Sequence, residues 1–180
     1  MTPKLRVRLR SGHENDAEEL WRLEQELVRA GDGMVLEMED VADSVEAYRR
    51  KLNERLADPF RFLLVGLVQA GSGEVLAGYA EWTQFRPAKI RHCIEIAMGV
   101  HPAHQGRGVG RAVLEGLIAA AKQQTPAIRR IELGVIADNT RARALYESVG
   151  FQLEGIRRGL VSDEKGERDD CLMALRVRSR

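Results

Sequence analysis

An alternating apolar strand that leads into a glycine-spaced turn is the feature that most limits how this chain can fold. The apolar positions of the strand are Ile94, Ile96, Met98 and Val100. Pro102 has no backbone donor and therefore ends the strand. Three glycines follow within residues 106–110, and Val109, Val113 and Leu117 then recur at helical spacing. The pattern predicts a strand, a tight turn and a helix, in that order.

The turn has the properties of an anion site. Glycines permit positive φ and let a ligand approach the bare backbone. The first amides of the helix have no acceptor inside it and lie at the positive end of its dipole. Arg107 and Arg111 add formal charge. We therefore expect a phosphate or diphosphate here. A tight connection without a ligand is the alternative, and the entropic cost of three glycines disfavours it.

Three sequence patterns that bind nucleotides or cofactors are candidates for this turn. A Rossmann site needs G-x-G-x-x-G in the first βα unit and an acid at the end of the next strand. Here the spacing is G-x-G-x-G, and Glu132 lies inside the next strand. The P-loop pattern is absent. The third pattern, Gln-x-x-Gly-x-Gly at Gln105, Gly108 and Gly110, resembles the acyl-coenzyme-A pyrophosphate loop of the GNAT superfamily of N-acetyltransferases.

A second motif begins at Asn139, which can cap a helix, and ends at Gly150, which suits a left-handed stop. Taken alone, Tyr146 on the apolar face of this helix is more simply a packed aromatic side chain. However, Asn-x-x-Ala-x-x-Leu-Tyr-x-x-x-Gly-Phe resembles the other GNAT signature. Asp170 and Met173 are similar to positions in GNATs that acetylate free amino acids or protein amino termini. The resemblance covers about residues 91–176.

The order of elements read from the sequence is β-α-α-β-β-β-α-β-α-β-β, a mixed α/β (α+β) sheet in one domain, residues 1–180. Ser11 or Asn15 is expected to cap the first helix, and Asp40 or Asp43 the second. The apolar stripe of the second helix is Val41, Val45, Tyr48, Leu52 and Leu56. The GNAT resemblance implies a mostly antiparallel sheet of about seven strands. It also implies a splay between the fourth and fifth strands, opened by a bulge in the fourth.

The resemblance further implies acetyl-CoA as cosubstrate and assigns its contacts. The expected cofactor residues are Met98, Val100, Gln105, Gly106, Arg107, Gly108, Val109, Gly110, Arg111, Asn139 and Tyr146. The implied reaction is direct attack of a primary amine on the thioester. The amine belongs to an amino acid, a polyamine or a protein amino terminus. Tyr146 is expected to protonate the departing thiolate.

The general base is expected at Glu95, which interrupts the apolar strand. Several GNATs carry their glutamate one residue earlier, where this chain has Ile94, although other members carry an acid at the position of Glu95. A purely structural Glu95, paired with Arg91 or Arg8, is the alternative. His92 and Glu81 are the reserve candidates for the base.

The acceptor has no motif of its own. An acidic stretch contains Glu37, Glu39, Asp40 and Asp43. The favoured interpretation is a solvated helix start, where the helix dipole favours acids, and the alternative is a site that attracts a cationic amine. Arg157 and Arg158 are candidates to bind an acceptor carboxylate.

Composition narrows the remaining function classes. The net charge of +1 argues against nucleic acid or an acidic membrane as partner. Cys93 and Cys171 lack metal-ligand spacing, so we expect reduced thiols and no metal. No stretch resembles a signal peptide or membrane span, so we expect a cytoplasmic enzyme. The sequence leaves open whether the protein forms a homodimer. The alternatives are a non-catalytic acyl-CoA sensor and, less favoured, a nucleotide-binding regulator.

Overall fold

The computed structural model describes residues 4–31, 33–164 and 166–177. The strands are β1 (Val7–Ser11), β2 (Arg61–Ala70), β3 (Gly73–Gln84), β4 (Cys93–Val100), β5 (Arg130–Ile136), β6 (Gln152–Asp163) and β7 (Gly166–Arg176). The helices are α1 (Ala17–Ala30), α2 (Val45–Ala57), α3 (Val109–Lys122) and α4 (Thr140–Ser148). The order of strands and helices agrees with the order read from the sequence.

The seven strands form one sheet in the order β1-β2-β3-β4-β5-β7-β6. Every neighbouring pair is antiparallel except β4 and β5, which run parallel. These two strands pair only from Cys93 opposite Arg130 to Glu95 opposite Glu132, although both continue further. The predicted mixed sheet and the splay between the fourth and fifth strands are therefore confirmed.

Helices cover the two faces of the sheet and form separate cores. One core joins α3 and α4 to β4 and β5, and Leu114 and Ile131 are almost fully buried in it. The other core joins α1 and α2 to β2 and β3 around Leu20 and Leu52. Full burial of one such side chain contributes about 1.5–3 kcal/mol. Of the stripe predicted for the second helix, only Tyr48 and Leu52 belong to the core of α1 and α2. Val41 is buried ahead of α2, Val45 is half-buried and Leu56 is 37% exposed.

The helix starts differ from those predicted. The turn before α1 is capped by His13, whose ring accepts the amide of Asn15, rather than by Ser11 or Asn15. Ser44 caps α2 by accepting the amide of Ala47, so Asp40 and Asp43 do not. Asp40 instead accepts the amide of Glu37, three residues before it. At both helix starts, the free amide is bonded by a different side chain from the one predicted.

Asp16 ties β1 to the start of α1. Its carboxylate accepts the amide of His13 at 2.7 Å and both terminal nitrogens of Arg10, at 2.7 and 2.6 Å. Burial acts to raise the pKa of Asp16, but these hydrogen bonds outweigh it and lower the pKa below its usual value.

We therefore expect Asp16→Asn to lower the free energy of unfolding at pH 7 by about 1.5–3 kcal/mol. A depressed pKa in the folded state stabilises the protein above the unfolded pKa of about 4, and this contribution is lost as the pH falls further. Urea unfolding of both proteins at pH 7 and at pH 3 measures the difference. The difference in free energy of unfolding between the two proteins should be smaller at pH 3 than at pH 7. An equal difference at both pH values would contradict the ionic role of Asp16.

The two thiols are buried, as the sequence predicts. Cys93 lies at the start of β4 and Cys171 lies in β7, and both are free. Burial raises the pKa of the Cys93 thiol, which makes it a poor nucleophile. No helix within the described ranges is long and apolar enough to span a bilayer.

Candidate functional site

The turn between β4 and α3 contains two glycines that need their conformational freedom. Gly106 has a φ of 72° and Gly108 a φ of 90°, values that other residues rarely adopt. Gly110 was expected to share this property but lies inside α3. A Cβ on Gly110 would lie 3.3 Å from Leu145 Cδ2 and 3.4 Å from Val100 Cγ2. Its small size therefore lets α3 pack against β4 and α4.

The same turn leaves a row of backbone donors without acceptors. Gly108 is the N-cap of α3 and offers no side-chain cap. Within the described part of the chain, the amides of residues 106–111 donate to no other residue. The carbonyl of Arg107 faces away, since it accepts the amide of Leu5 at 2.9 Å. Free amides at a helix N-terminus are able to bind an anion, which is the role that the sequence predicts for this turn.

The cations around this turn are arranged differently from the expectation. Arg111 donates to Glu115 and to Ser148, so both partners compete with any phosphate. Arg141, which the sequence analysis missed, donates to Gln105 Oε1 at 2.7 Å. The Nε2 of Gln105 in turn donates to the carbonyl of Val100 at 3.1 Å. Arg141 lies two residues after Asn139 in the second motif, and this position could have indicated a role beside the turn.

Met98 and Val100 lie on the part of β4 that has no partner on its β5 side. The Cε of Met98 lies 3.6 Å from the Cβ position of Gly110, so the strand, the turn and α4 converge at this glycine. The expected bulge in β4 is wrong, because β3 and β4 pair in an unbroken register from Gly78 opposite Val100 onward. The splay therefore arises from divergence of β5 alone.

Tyr146 lies on α4 with its ring against Phe151, the centroids 5.8 Å apart. It is 8% exposed and belongs to the same core as Ile96, with Met98 packed against that core. Burial raises the pKa of Tyr146 to about 12. Within residues 4–31, 33–164 and 166–177, its hydroxyl forms no hydrogen bond. The phenol is therefore protonated at neutral pH and has a proton to donate.

Asn139 begins α4 by accepting the amide of Ala142 with its Oδ1, at 3.1 Å. Its Nδ2 lies against the loop between α1 and α2, where a Cβ on Gly33 would come within 2.0 Å of it. Gly33 has a φ of 83°. The asparagine oxygen is thus used locally, and its nitrogen is directed toward the loop.

Glu95 is exposed and lies on the face of β4 opposite to Ile94 and Ile96, which are buried. The expected arginine partners are wrong. Arg8 pairs with Glu74, and Arg91 donates to the carbonyl of Arg86. In the described ranges the side chain of Glu95 has no ion pair or hydrogen bond. A free carboxylate beside the splay is available as a proton acceptor.

The reserve candidates are less suited to this role. Glu81 lies 3.5 Å from Arg55, so its carboxylate is already paired with a cation. His92 lies just before β4, where its carbonyl accepts the amides of Arg129 and Arg130. A cavity of about 420 Å³ adjoins Arg55, and Glu24 on its wall has a pKa raised by burial.

The candidates for acceptor binding fall into two groups. Glu37, Glu39, Asp40 and Asp43 are exposed before α2. Arg157 donates from both Nε and a terminal nitrogen to Asp170 Oδ2, at 2.9 and 2.7 Å. Arg158 is exposed. No cluster of three or more metal-binding side chains occurs in the part of the chain that the structure describes.

The family model of the acetyltransferase (GNAT) family matches residues 19–151, more than half of the chain. The chain belongs to the GNAT family. It is 39% identical over 107 residues to the N-alpha-acetyltransferase RimI of Mycobacterium tuberculosis, covering 59% of this chain and 61% of that one. It is also 39% identical over 80 residues to the [ribosomal protein bS18]-alanine N-acetyltransferase of Escherichia coli K12, covering 44% and 53%. The matches thus span less than two thirds of either relative.

Solved GNAT structures share the whole fold. A GNAT acetyltransferase of Streptococcus pneumoniae superposes with a TM-score of 0.83 at 22% identity, covering 96% of this chain and 100% of that one. The ribosomal-protein-alanine N-acetyltransferase of Brucella melitensis gives 0.79 at 25% identity, covering 94% and 99%. The yncA protein of Salmonella typhimurium, solved with its cofactor acetyl-CoA, gives 0.81 at 22% identity, covering 97% and 95%.

Proposed function

We propose that this GNAT protein transfers the acetyl group of acetyl-CoA to a primary amine by direct attack. The observation that carries the proposal is the unpaired edge of β4 beside a turn with unused amides. The turn can hold a diphosphate, and the open strand edge can hold the arm that ends in the thioester. The relatives named N-acetyltransferases and the neighbour solved with acetyl-CoA support the same reaction.

The residues divide the binding work along the strand and the turn. The amides of residues 106–111 bind the diphosphate, and Arg141 adds a cation beside Gly106, 3.7 Å from its Cβ position. Backbone groups of Met98 and Val100 bind the pantetheine arm in a strand-like ladder. Asn139 contacts the same arm once its Nδ2 turns away from the loop between α1 and α2. A donor near Met98 also stabilises the oxyanion that develops on the carbonyl.

Acetyl-CoA supplies an activated thioester as acyl donor. Glu95 takes the proton that the amine loses as its nitrogen bonds to the acetyl carbon. Tyr146 gives its hydroxyl proton to the sulfur as the carbon–sulfur bond breaks, and solvent restores that proton. Glu95 and Tyr146 extend from different sides of the β4 edge, so the base and the acid reach the amine and the sulfur separately.

Two measurements test the proposal. Acetyl-CoA at one hundred times its Kd should stabilise the protein by about 2.7 kcal/mol and raise Tm by about 5–11 °C. Thiol release with an amine panel should exceed spontaneous hydrolysis, and Glu95→Gln should lower the rate of that release. A thermal shift without thiol release indicates an acyl-CoA sensor, and no shift at millimolar acetyl-CoA overturns the proposal.

A further inference from the structure

An arginine from the edge strand β6 extends over the sheet beside the splay. We propose that Arg157 binds the carboxylate of an α-amino acid acceptor and that the amine of this acceptor lies toward Glu95. This inference rests on the proposed acetyl transfer and narrows the amine to one that carries a neighbouring carboxylate.

The position of Arg157 is fixed by a buried acid. Arg157 lies opposite Asp170 on β7, and Asp170 lies opposite Ile136 on β5, so the three share one face of the sheet. Asp170 is 3% exposed, and it accepts two hydrogen bonds from the guanidinium at a single oxygen. Arg157 keeps 41% of its side chain exposed. Of its five N–H donors, three remain for another anion.

Gly134 allows the guanidinium to lie over β5. A Cβ at this position would be 2.5 Å from a terminal nitrogen of Arg157 and 3.0 Å from Asp170 Oδ1. A side chain at this position would therefore displace the guanidinium. Gly134 lies two residues beyond Glu132, where the pairing of β5 with β4 ends. The guanidinium is therefore held at the mouth of the splay.

Glu95 lies on the same face, because it pairs with Glu132 and because Glu132 and Gly134 alternate onto one side of β5. Strand spacing and residue rise place the Cβ positions of Glu95 and Gly134 at least about 8 Å apart, because β5 diverges from β4 beyond Glu132. The Glu95 carboxylate extends into this gap from one side and the Arg157 guanidinium from the other. An α-amino acid, with a hydrogen bond of about 2.9 Å at each end, bridges groups that are about 8 Å apart. Ala97, the next residue of this face on β4, is small and exposed, which leaves the gap open.

The charges of the two sides select a zwitterion. Glu95 is without a partner among the described residues, and Arg157 has donors to spare. The acceptor's ammonium is attracted to Glu95 before it loses its proton, and its carboxylate is attracted to Arg157. A peptide amino terminus carries a neutral amide in place of that carboxylate. It therefore satisfies Glu95 but not Arg157.

The test compares L-methionine with L-methioninamide as acceptors for the full chain, with thiol release as the readout. The amide keeps the amine and removes the negative charge. We expect KM for L-methionine to be at least about tenfold lower, since one charge-assisted pair accounts for a difference of that size. This comparison needs no variant and so does not depend on the folding of any mutant.

Substitutions test whether the preference for L-methionine over its amide depends on Arg157. Arg157→Gln with Asp170→Asn removes the guanidinium without leaving a buried carboxylate unpaired, and it should raise KM for L-methionine to that of the amide. Arg22→Gln, which removes an exposed arginine paired with Glu18 on α1, should leave both values unchanged. Calorimetric titration of L-methionine into the CoA-saturated protein should show the same loss of affinity.

The outcomes separate this inference from the proposed function. Equal KM values for acid and amide overturn the role of Arg157, as does a double variant that still prefers the acid. Turnover of peptides or polyamines but not of amino acids also overturns it, while acetyl transfer stands. Thermal stabilisation by acetyl-CoA without turnover of any amine overturns both.

Discussion

Tyr146→Phe is expected to lower kcat by about 10²–10³-fold, because it removes the proton donor for the departing thiolate. The affinity for acetyl-CoA and the thermal stability should change little. The ring keeps its contact with Phe151, and the hydroxyl that is lost has no hydrogen bond in the described ranges. Single-turnover acetylation, with acetyl-CoA titrated separately by its thermal shift, distinguishes the chemical step from binding.

The pH dependence adds a second check on Tyr146. Its pKa of about 12 keeps the phenol protonated well above neutrality. Any rise of the rate between pH 5 and 9 should therefore reflect proton loss from a group other than Tyr146, and Tyr146→Phe should lower the whole profile without moving it. Tyr48→Phe, which removes a buried phenol from the other core, should keep kcat near its wild-type value. An unchanged rate for Tyr146→Phe would reduce Tyr146 to a packing residue.

The parts of the fold that follow from local pattern could be predicted from the sequence. Alternation along β4, helical spacing in α3 and the Asn139 and Gly150 signals around α4 each involve residues close in the chain. The helix starts were less predictable, because several capping side chains compete for the same amides. Which of them bonds depends on the path of the loop, as Ser44 and Asp40 illustrate.

The parts of the site that depend on strand register could not be predicted from the sequence. Arg141 bonds to Gln105 across 36 residues of sequence, and Arg157 bonds to Asp170 because the pairing of β6 with β7 places these two residues opposite each other. Gly110 was grouped with its neighbouring glycines on spacing, although its constraint is the close approach of Leu145. Neither kind of contact leaves a periodic signal in a single sequence.

Gly108→Ala is expected to abolish most of the stabilisation by acetyl-CoA, with at least about a tenfold loss of affinity. A side chain at a φ of 90° costs about 1–2 kcal/mol, and the chain relieves that strain by rotating the adjoining peptide groups. Those groups carry amides that point at the proposed diphosphate. Since a Cβ on Gly108 would lie 3.8 Å from the nearest atom, on Lys4, the effect cannot come from a clash within the protein.

Gly71→Ala provides the matched control for this strain. Gly71 has a φ of 60° in the turn between β2 and β3, and a Cβ there meets no atom within 4 Å. Both variants should lose a similar few degrees of Tm without ligand, because both place alanine in the left-handed region. Only Gly108→Ala should then lose the rise in Tm that acetyl-CoA produces. If Gly108→Ala retains the full rise, the diphosphate is not held by the amides of this turn, and the binding assigned to residues 106–111 is wrong.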